Sequence, residues 1–399
     1  MRLILFTGKG GVGKTTVAAA TATVIAGRGH KVLLASTDTA HSLADTLGVE
    51  LAGEPAEVDG GLSAMHVDPQ ARLEQSWSVL RRYLVELLGR GGVGAVAAEE
   101  LTVLPGLQEI LALGAVREQA VSGRWDAVVV DCPPTPQTLR LLALPQVLQW
   151  YLERALPTHR RMVRGLGPLL GGVAVPGDGA VDAVSRLHAT LLGVQEVLDD
   201  PGTSVRLVLT PEAVVLAEAR RTATSLALYG HRLDAVVVNR LIPAGDDPWR
   251  SAWAAAQAEQ LADARACFPG LPVHEAAYRS AEPVGPVALA ELGGELYGGA
   301  DPLATAPSES RLDVRRLESA DGERFELVVT LPHAEPGAVD LVRSGDELVL
   351  TVGGYRRLLA LPGVLRRCQV ERADLTDGRL VVRFRPDPEL WPVTRRVHQ

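Results

Sequence analysis

Gly8-Lys9-Gly10-Gly11-Val12-Gly13-Lys14-Thr15 follows the apolar run Leu3–Phe6 and leads into an Ala/Thr/Val-rich stretch, Thr15–Arg28. The octet fits G-x-x-x-x-G-K-[ST] at the place where a buried strand turns into a helix. Glycine is needed there because backbone N–H groups must approach phosphate oxygens without a Cβ in the way. The helix N-terminus adds the positive end of its dipole. In such a loop Lys14 reaches the β- and γ-phosphates and the Thr15 hydroxyl ligates Mg²⁺. Gly8, Lys9, Gly10, Gly11, Val12, Gly13 and Thr16 complete the cradle.

The strand–loop–helix unit repeats in outline along the first 300 residues. Lys31–Ala35, Ala127–Val130, Val205–Leu209 and Ala235–Val238 are short apolar runs bounded by polar or turn residues. They lack clean alternation, as strands buried on both faces of a parallel sheet do. Leu73–Leu88 and Pro211–Tyr229 carry helical spacing between them. Strands alternating with helices predict a doubly wound, mostly parallel α/β domain over residues 1–300.

Residues 141–200 differ. Leu141–Leu156 and Met162–Leu170 are strongly apolar, and Gly171, Gly172, Pro176, Gly177 and Gly179 precede a helical run, Val181–Leu198. Two readings stand: helices packed on the sheet, or a helical subdomain whose apolar face binds something.

At 301–310 the composition shifts to Ala, Pro and Ser, marking a linker. Beyond it the period becomes two. Phe325, Leu327, Val329 and Leu331 alternate with their neighbours, as do Leu348, Leu350 and Val352, then Leu380, Val382 and Phe384. Gly353-Gly354 supplies a hairpin turn. Residues 311–394 are therefore expected to form a small all-β sandwich.

Composition narrows the function. Apolar residues make up 47% of the 399, ample for two cores, and the net charge is −8. An acidic chain lacks the basic surface that nucleic-acid binding needs, so no nucleic-acid partner is expected. Cys132, Cys267 and Cys368 lie far apart with no C-x-x-C pair, which fits a reducing compartment rather than a disulfide framework. The apolar run after Arg2 stops after four residues, short of a secretory core. A cytoplasmic location follows. The nine histidines show no metal-binding spacing.

Lys9 narrows the reading further. A second lysine five residues before Lys14 resembles the deviant Walker A group, in which that lysine reaches the partner's nucleotide across a dimer. Ser36-Thr37-Asp38-Thr39-Ala40-His41-Ser42-Leu43-Ala44-Asp45 resembles the switch I of the arsenical-pump ATPase (ArsA) family, which also contains ATPases that guide tail-anchored proteins to membranes. Trp125–Thr135 with Thr138–Leu142 resembles its Walker B and switch II, and Val236-Val237-Val238-Asn239-Arg240 its adenine-facing segment. Four motifs stand in the family's order over some 240 residues.

The resemblance implies Mg²⁺-dependent ATP hydrolysis by a homodimer. It makes Asp38 the residue that orients the attacking water, with Lys14 and Lys9 as the other catalytic groups. Thr15 and Asp131 hold Mg²⁺, and Asn239 meets the adenine. Two departures stand out: Thr39 replaces the family's usual proline, and Pro136-Gln137 replaces a small and a polar residue in switch II. Proline restricts φ and removes a donor, so the switches are expected to move differently here.

Ala373-Asp374-Leu375-Thr376-Asp377-Gly378-Arg379-Leu380 resembles the A-x-L-x-[DN]-G-x-L signature of α-crystallin (small heat-shock protein) domains. Three functions compete. The first is a nucleotide-gated ATPase that binds an apolar protein client or a membrane-protein partner. The second is the energising subunit of an arsenite efflux pump, weakened by the paucity of thiols. The third, a membrane-positioning ATPase, lacks an amphipathic helix around Arg395-Arg396. The first is preferred.

Overall fold

The computed structural model describes residues 1–38, 40, 42–68, 107–147, 178–305, 312–319 and 322–391. The run Leu73–Leu88, residues 148–177 with most of the Gly/Pro interruption, Thr39, His41 and Arg395-Arg396 lie outside the described residues. The chain divides into two compact units. One comprises Met1–Glu212 with Asp234–Thr305, the other Ala213–Leu233 with Ala306–Gln399.

Among the described residues the first unit holds strands β1 (Arg2–Thr7), β2 (Val32–Ser36), β3 (Ala56–Asp59), β4 (Leu62–His66), β5 (Ala127–Asp131), β6 (Thr203–Leu209), β7 (Leu233–Leu241) and β8 (Val273–Ala277). They form one sheet in the order β3-β4-β2-β5-β1-β6-β7-β8. β1 pairs in parallel with β5 and β6, β2 with β4 and β5, and β7 with β8, while edge strand β3 is antiparallel to β4. This is the doubly wound, mostly parallel sheet the sequence predicts. Every residue of β1, β2, β5 and β6 is buried, which is why these strands read as unbroken apolar runs. β3, β4 and β8 escaped the sequence reading: β3 and β8 are edges with Glu, Asp or His in place of apolar side chains, and Ser63 and His66 break the apolar run of β4.

The helices are α1 (Lys14–Gly27), α2 (Ser42–Leu47), α3 (Leu107–Ala120), α4 (Asp178–Asp199), α5 (Ala213–Leu228), α6 (Pro248–Cys267), α7 (Gly285–Tyr297) and a single turn, α8 (Gly363–Arg366). Residues 135–147 are also helical. α1 packs on α7 so closely that a Cβ on Gly293 would lie 2.6 Å from the carbonyl oxygen of Ala20. The alanines of α1 allow that approach. α4 packs on α3, and a side chain on Gly193 would collide with Arg117 there. None of the described helices is long and apolar enough to cross a membrane.

A buried charged network ties β1, β6 and β7 together. The Asp234 carboxylate accepts from the Arg2 guanidinium and from Arg206 Nε at 3.2 Å. Arg206 also donates to the Tyr297 hydroxyl at 3.0 Å and to the Pro302 carbonyl at 2.6 Å. Arg2 reaches the Gly202 carbonyl and Ser204 Oγ, so backbone dipoles absorb the second positive charge. Burial pulls the nearby His274 imidazole below its usual range, reinforced by Arg206. Its Nδ1 lies 3.0 Å from the Leu296 carbonyl.

The second unit is a sandwich. β9 (Leu312–Ser319), β10 (Gly322–Thr330), β14 (Cys368–Thr376) and β15 (Arg379–Pro386) form one sheet, and β11 (Val339–Ser344), β12 (Glu347–Val352) and β13 (Tyr355–Ala360) the other. The alternating residues Phe325, Leu327, Val329, Leu348, Leu350, Leu380, Val382 and Phe384 all face one core. Asp377 and Gly378 both take left-handed φ, 48° and 70°, in the hairpin that the signature motif spells. The Leu331 N–H donates to the Gly378 carbonyl at 2.6 Å, closing that hairpin against the end of β10.

Helix α5, which the sequence groups with the α/β pattern, belongs to this second unit. Leu228 is fully buried in the sandwich core. Thr224 Oγ1 donates to the Pro332 carbonyl at 2.5 Å, Tyr229 packs edge-on against Tyr355, and Arg357 donates to the Leu228 carbonyl.

Two outcomes test this packing. Asp234→Ala strands two buried guanidinium groups and should cost about 3–5 kcal/mol in a denaturant titration. Leu228→Ala should cost the second unit about 2–5 kcal/mol, read as faster amide exchange in β10 and β15.

Candidate functional site

The loop between β1 and α1 ends at Gly13, which caps the helix in a left-handed conformation, φ 89° and ψ 31°, without any side-chain cap. The first N–H groups of α1 have no acceptor within the helix, so they face the loop cavity as anion donors. Gly10 and Gly11 are exposed at the tip and Val12 is buried beneath it. The Gly8 carbonyl accepts from the Thr135 N–H at 3.2 Å, and the Lys9 carbonyl accepts from the Lys14 ammonium at 3.3 Å.

Below the loop, three hydroxyls and a carboxylate meet. Thr15 Oγ1 donates to Asp131 Oδ2 at 2.8 Å and lies 3.1 Å from Ser42 Oγ. Ser36 Oγ adds a weaker bond to the same oxygen at 3.3 Å. Asp131 is fully buried, and its Oδ1 has no hydrogen-bond partner among the described residues. Burial pushes its carboxyl up to about 6, against the pull of the Thr15 hydrogen bond and Lys14, while the charge of Asp38 adds to the rise. A buried carboxylate oxygen with nothing to bind, beside a threonine hydroxyl, is a hard-oxygen donor set that fits Mg²⁺. A divalent cation there would also draw the proton off Asp131.

Asp38 lies one strand away. β2 and β5 are adjacent, so Asp38 and Asp131 emerge side by side at the carboxyl ends of parallel strands, where open α/β sheets place their ligands. The Asp38 carboxylate accepts from the Ala40 N–H at 3.1 Å, and the Thr37 N–H holds the Asp131 carbonyl at 2.9 Å. Lys9, Lys14, Thr15, Asp38 and Asp131 thus gather around one loop, and Asn239 reaches it from the other side. Asn239 Nδ2 donates to the Val12 carbonyl at 2.9 Å, and its Oδ1 accepts from the Arg240 N–H at 2.9 Å.

Sequence reasoning missed what holds Asn239 in place. The pairing of β7 with β8 shifts between Val238 and Leu241, and Arg240 adopts a left-handed φ of 62°. Such a bulge leaves ladder groups unpaired. The buried Gln257 of α6 takes them up: its Oε1 accepts from the Ile242 N–H at 2.7 Å and its Nε2 donates to the Arg240 carbonyl at 3.3 Å. A single glutamine in a polar helix carries no sequence signal for this role. Ser36 and Ser42 stand within the switch I segment without a role there: the pairing of β2 with β5 sets Ser36 beside Asp131, and the start of α2 sets Ser42 beside Thr15.

The unexpected Pro136 sits in the first turn of the helix that begins at 135, where the missing N–H removes no helical bond. Cys132, between Asp131 and that turn, is buried, and burial pushes its thiol far above the usual range. A cavity of about 660 Å³ opens from Gly13, Thr16 and Asn239, walled by Ile242, Pro243 and Leu292.

A Cβ on Gly13 would lie 2.4 Å from Asn239 Nδ2. Gly13→Ala should therefore leave the chain folded but lower its affinity for nucleotide at least about tenfold, the price of a displaced loop at a left-handed position. Calorimetric titration beside a thermal melt checks both halves.

Comparison with known proteins agrees with this geometry. Residues 1–298 match the family model of the anion-transporting ATPases, ArsA, and residues 322–384 match that of an HSP20-like domain found in ArsA. A Mycobacterium tuberculosis protein is 40% identical over 424 residues, covering 98% of this chain and 97% of its own length. A Chlorobaculum tepidum protein named "putative arsenical pump-driving ATPase" is 34% identical, covering 96% of each chain. The ATPase get3 of Neurospora crassa is 33% identical over 257 residues, covering 61% of this chain and 74% of its own.

Proposed function

The chain belongs to the ArsA family of anion-transporting ATPases and is an ATP hydrolase, and from that premise we propose that two copies close around bound nucleotide and couple its hydrolysis to the holding and release of an apolar protein client in the cytoplasm. The observation that carries the ATPase chemistry is the buried Asp131 carboxylate under the anion-binding turn, with Thr15 on its Oδ2 and no hydrogen-bond partner for its Oδ1 among the described residues.

Phosphoryl transfer to water depends mostly on positioning and charge neutralisation. Lys14 and the N–H groups of Gly8–Thr15 hold the β- and γ-phosphates. Thr15 and Asp131 would hold Mg²⁺, which neutralises charge on the same phosphates when bound. Asp38, at the end of the neighbouring strand, orients the attacking water. Asn239 lies where the base would sit. Lys9 is half-buried at the loop rim, and its carbonyl is engaged by Lys14. Its ammonium serves the partner copy's phosphates, as an arginine finger does.

The names of several relatives raise a second reading, an arsenite pump. Thiolates are the ligands such a site needs. Cys132 is buried with its thiol held protonated, and Cys368 is buried with its Sγ 3.3 Å from the Val364 carbonyl. Both favour the client reading.

Three variants test the assignment. Lys14→Ala should lose ATP binding. Asp38→Asn should keep binding yet turn over about 10²–10⁴-fold more slowly. Lys9→Ala should bind ATP as a monomer and fail to hydrolyse it, read by light scattering and phosphate release. Wild-type turnover in Asp38→Asn sinks the water-orienting role, and arsenite-stimulated turnover would turn the reading towards a pump. Client coupling is read from amide exchange in α4, which should differ between ATP and ADP states and slow when an apolar peptide is added.

A further inference from the structure

Helix α6 turns an apolar side to solvent. Of its 20 residues only Gln257 and Ala264 are buried. Trp249 and Trp253 are 65% and 44% exposed, and Ala252 and Ala256 are exposed with them. The four stand at i, i+3, i+4 and i+7, so they share one side of the helix as a stripe two turns long. The next positions on that side, Gln260 and Asp263, end it. Apolar side chains exposed singly need no explanation, but two tryptophans in contact on an uncharged stripe do. Their ring centroids lie 6.0 Å apart at a tilt of 48°.

The stripe is held from behind. Asp247 caps α6, accepting from the Arg250 N–H at 2.8 Å. Arg250 Nε donates to the Pro243 carbonyl at 2.7 Å, and Ser251 Oγ donates to the Gly245 carbonyl at 2.7 Å. One turn past the rings, Gln257 grips the Arg240 carbonyl and the Ile242 N–H. The polar side chains of the helix start are thus spent on the backbone before β8, and the indoles are left outside.

Place, shape and charge say what covers them. Trp249 lines, with Tyr278, the cavity that opens at Gly13 and Thr16, so the stripe is continuous with the phosphate-loop rim on which Lys9 stands. Large rings beside alanines give the stripe both knobs and holes. A twofold axis sets the same patch of two copies face to face, and such a patch fits its own copy. With no charge in the stripe, the copies meet there without like-charge repulsion. Four rings, two from each copy, would cover on the order of 400 Å² of the roughly 1,600 Å² in a standard interface. We propose that Trp249, Ala252, Trp253 and Ala256 form the apolar contact with a second copy of this chain in the nucleotide-bound dimer. This rests on the reading that two copies close around nucleotide.

The test is the mass of the full-length chain by light scattering, with Mg²⁺ and a non-hydrolysable ATP analogue. The wild type should be a dimer. Trp253→Ala should raise the dimer dissociation constant at least about thirtyfold, the loss expected of a central aromatic anchor. Ala256→Glu keeps both rings but sets a carboxylate against its own copy, and it should leave a monomer. Both variants should melt like the wild type, since neither side chain is buried. At concentrations too low for pairing, both should bind a fluorescent form of the analogue as tightly as the wild type does. Wild-type dimer strength in either variant overturns the proposal and leaves the dimer standing. So does weakened analogue binding by the monomers, since the stripe would then act on the nucleotide site. A wild-type chain that binds the analogue yet stays monomeric sinks the dimer reading itself, and the stripe's role with it.

Discussion

The N–H groups in the first turn of an α-helix have no acceptor of their own, and this site is built around that deficit at α1. Lys14 heads the helix, Gly13 turns into it with a left-handed φ, and no side chain caps it. An uncapped helix start in a folded core calls for an anion. The parallel sheet fixes what else can reach it. β1 lies between β5 and β6, and β2 lies next to β5, so Asp131 and Asp38 end beside the loop as a consequence of strand order alone.

Two buried charged clusters in the same unit are solved in opposite ways. Asp234 sits between two guanidinium groups whose remaining donors meet carbonyls and hydroxyls, so the cluster is satisfied as it stands. Asp131 has hydroxyls on one oxygen and, among the described residues, no hydrogen-bond partner on the other, and burial lifts its carboxyl towards neutrality. A satisfied ion cluster holds strands in place. An unsatisfied carboxylate under an anion-binding turn has the chemistry to take a cation, and that difference separates architecture from chemistry here.

The second unit makes a comparable point about packing. A sandwich of short strands leaves its core open at the ends, and α5 fills part of that opening with Leu228 while Thr224 and Arg357 tie the helix to the β10–β11 loop and to β13. The helix is covalently continuous with β6 and β7, and β7 carries Asn239. The small domain is thus completed by a segment that interrupts the larger domain's sequence.

The sequence by itself determined the phosphate loop, the five strands β1, β2, β5, β6 and β7, and the alternating sandwich. Each rests on a local rule: glycine where backbone must approach a ligand, unbroken apolar runs for strands covered on both faces, period two for one-sided strands. The loop motif also named Lys14 and Thr15, and the resemblance to the family's motifs added Lys9, Asp38, Asp131 and Asn239. Only the tertiary structure decided which side chains share space across those motifs. Ser42 beside Thr15, Gln257 bracing the bulge that presents Asn239, Trp249 and Tyr278 beside the cavity, and α5 inside the sandwich core all depend on elements far apart in sequence. None follows a local period, since a contact between distant segments is fixed by packing and strand order and leaves no repeat in the chain that makes it.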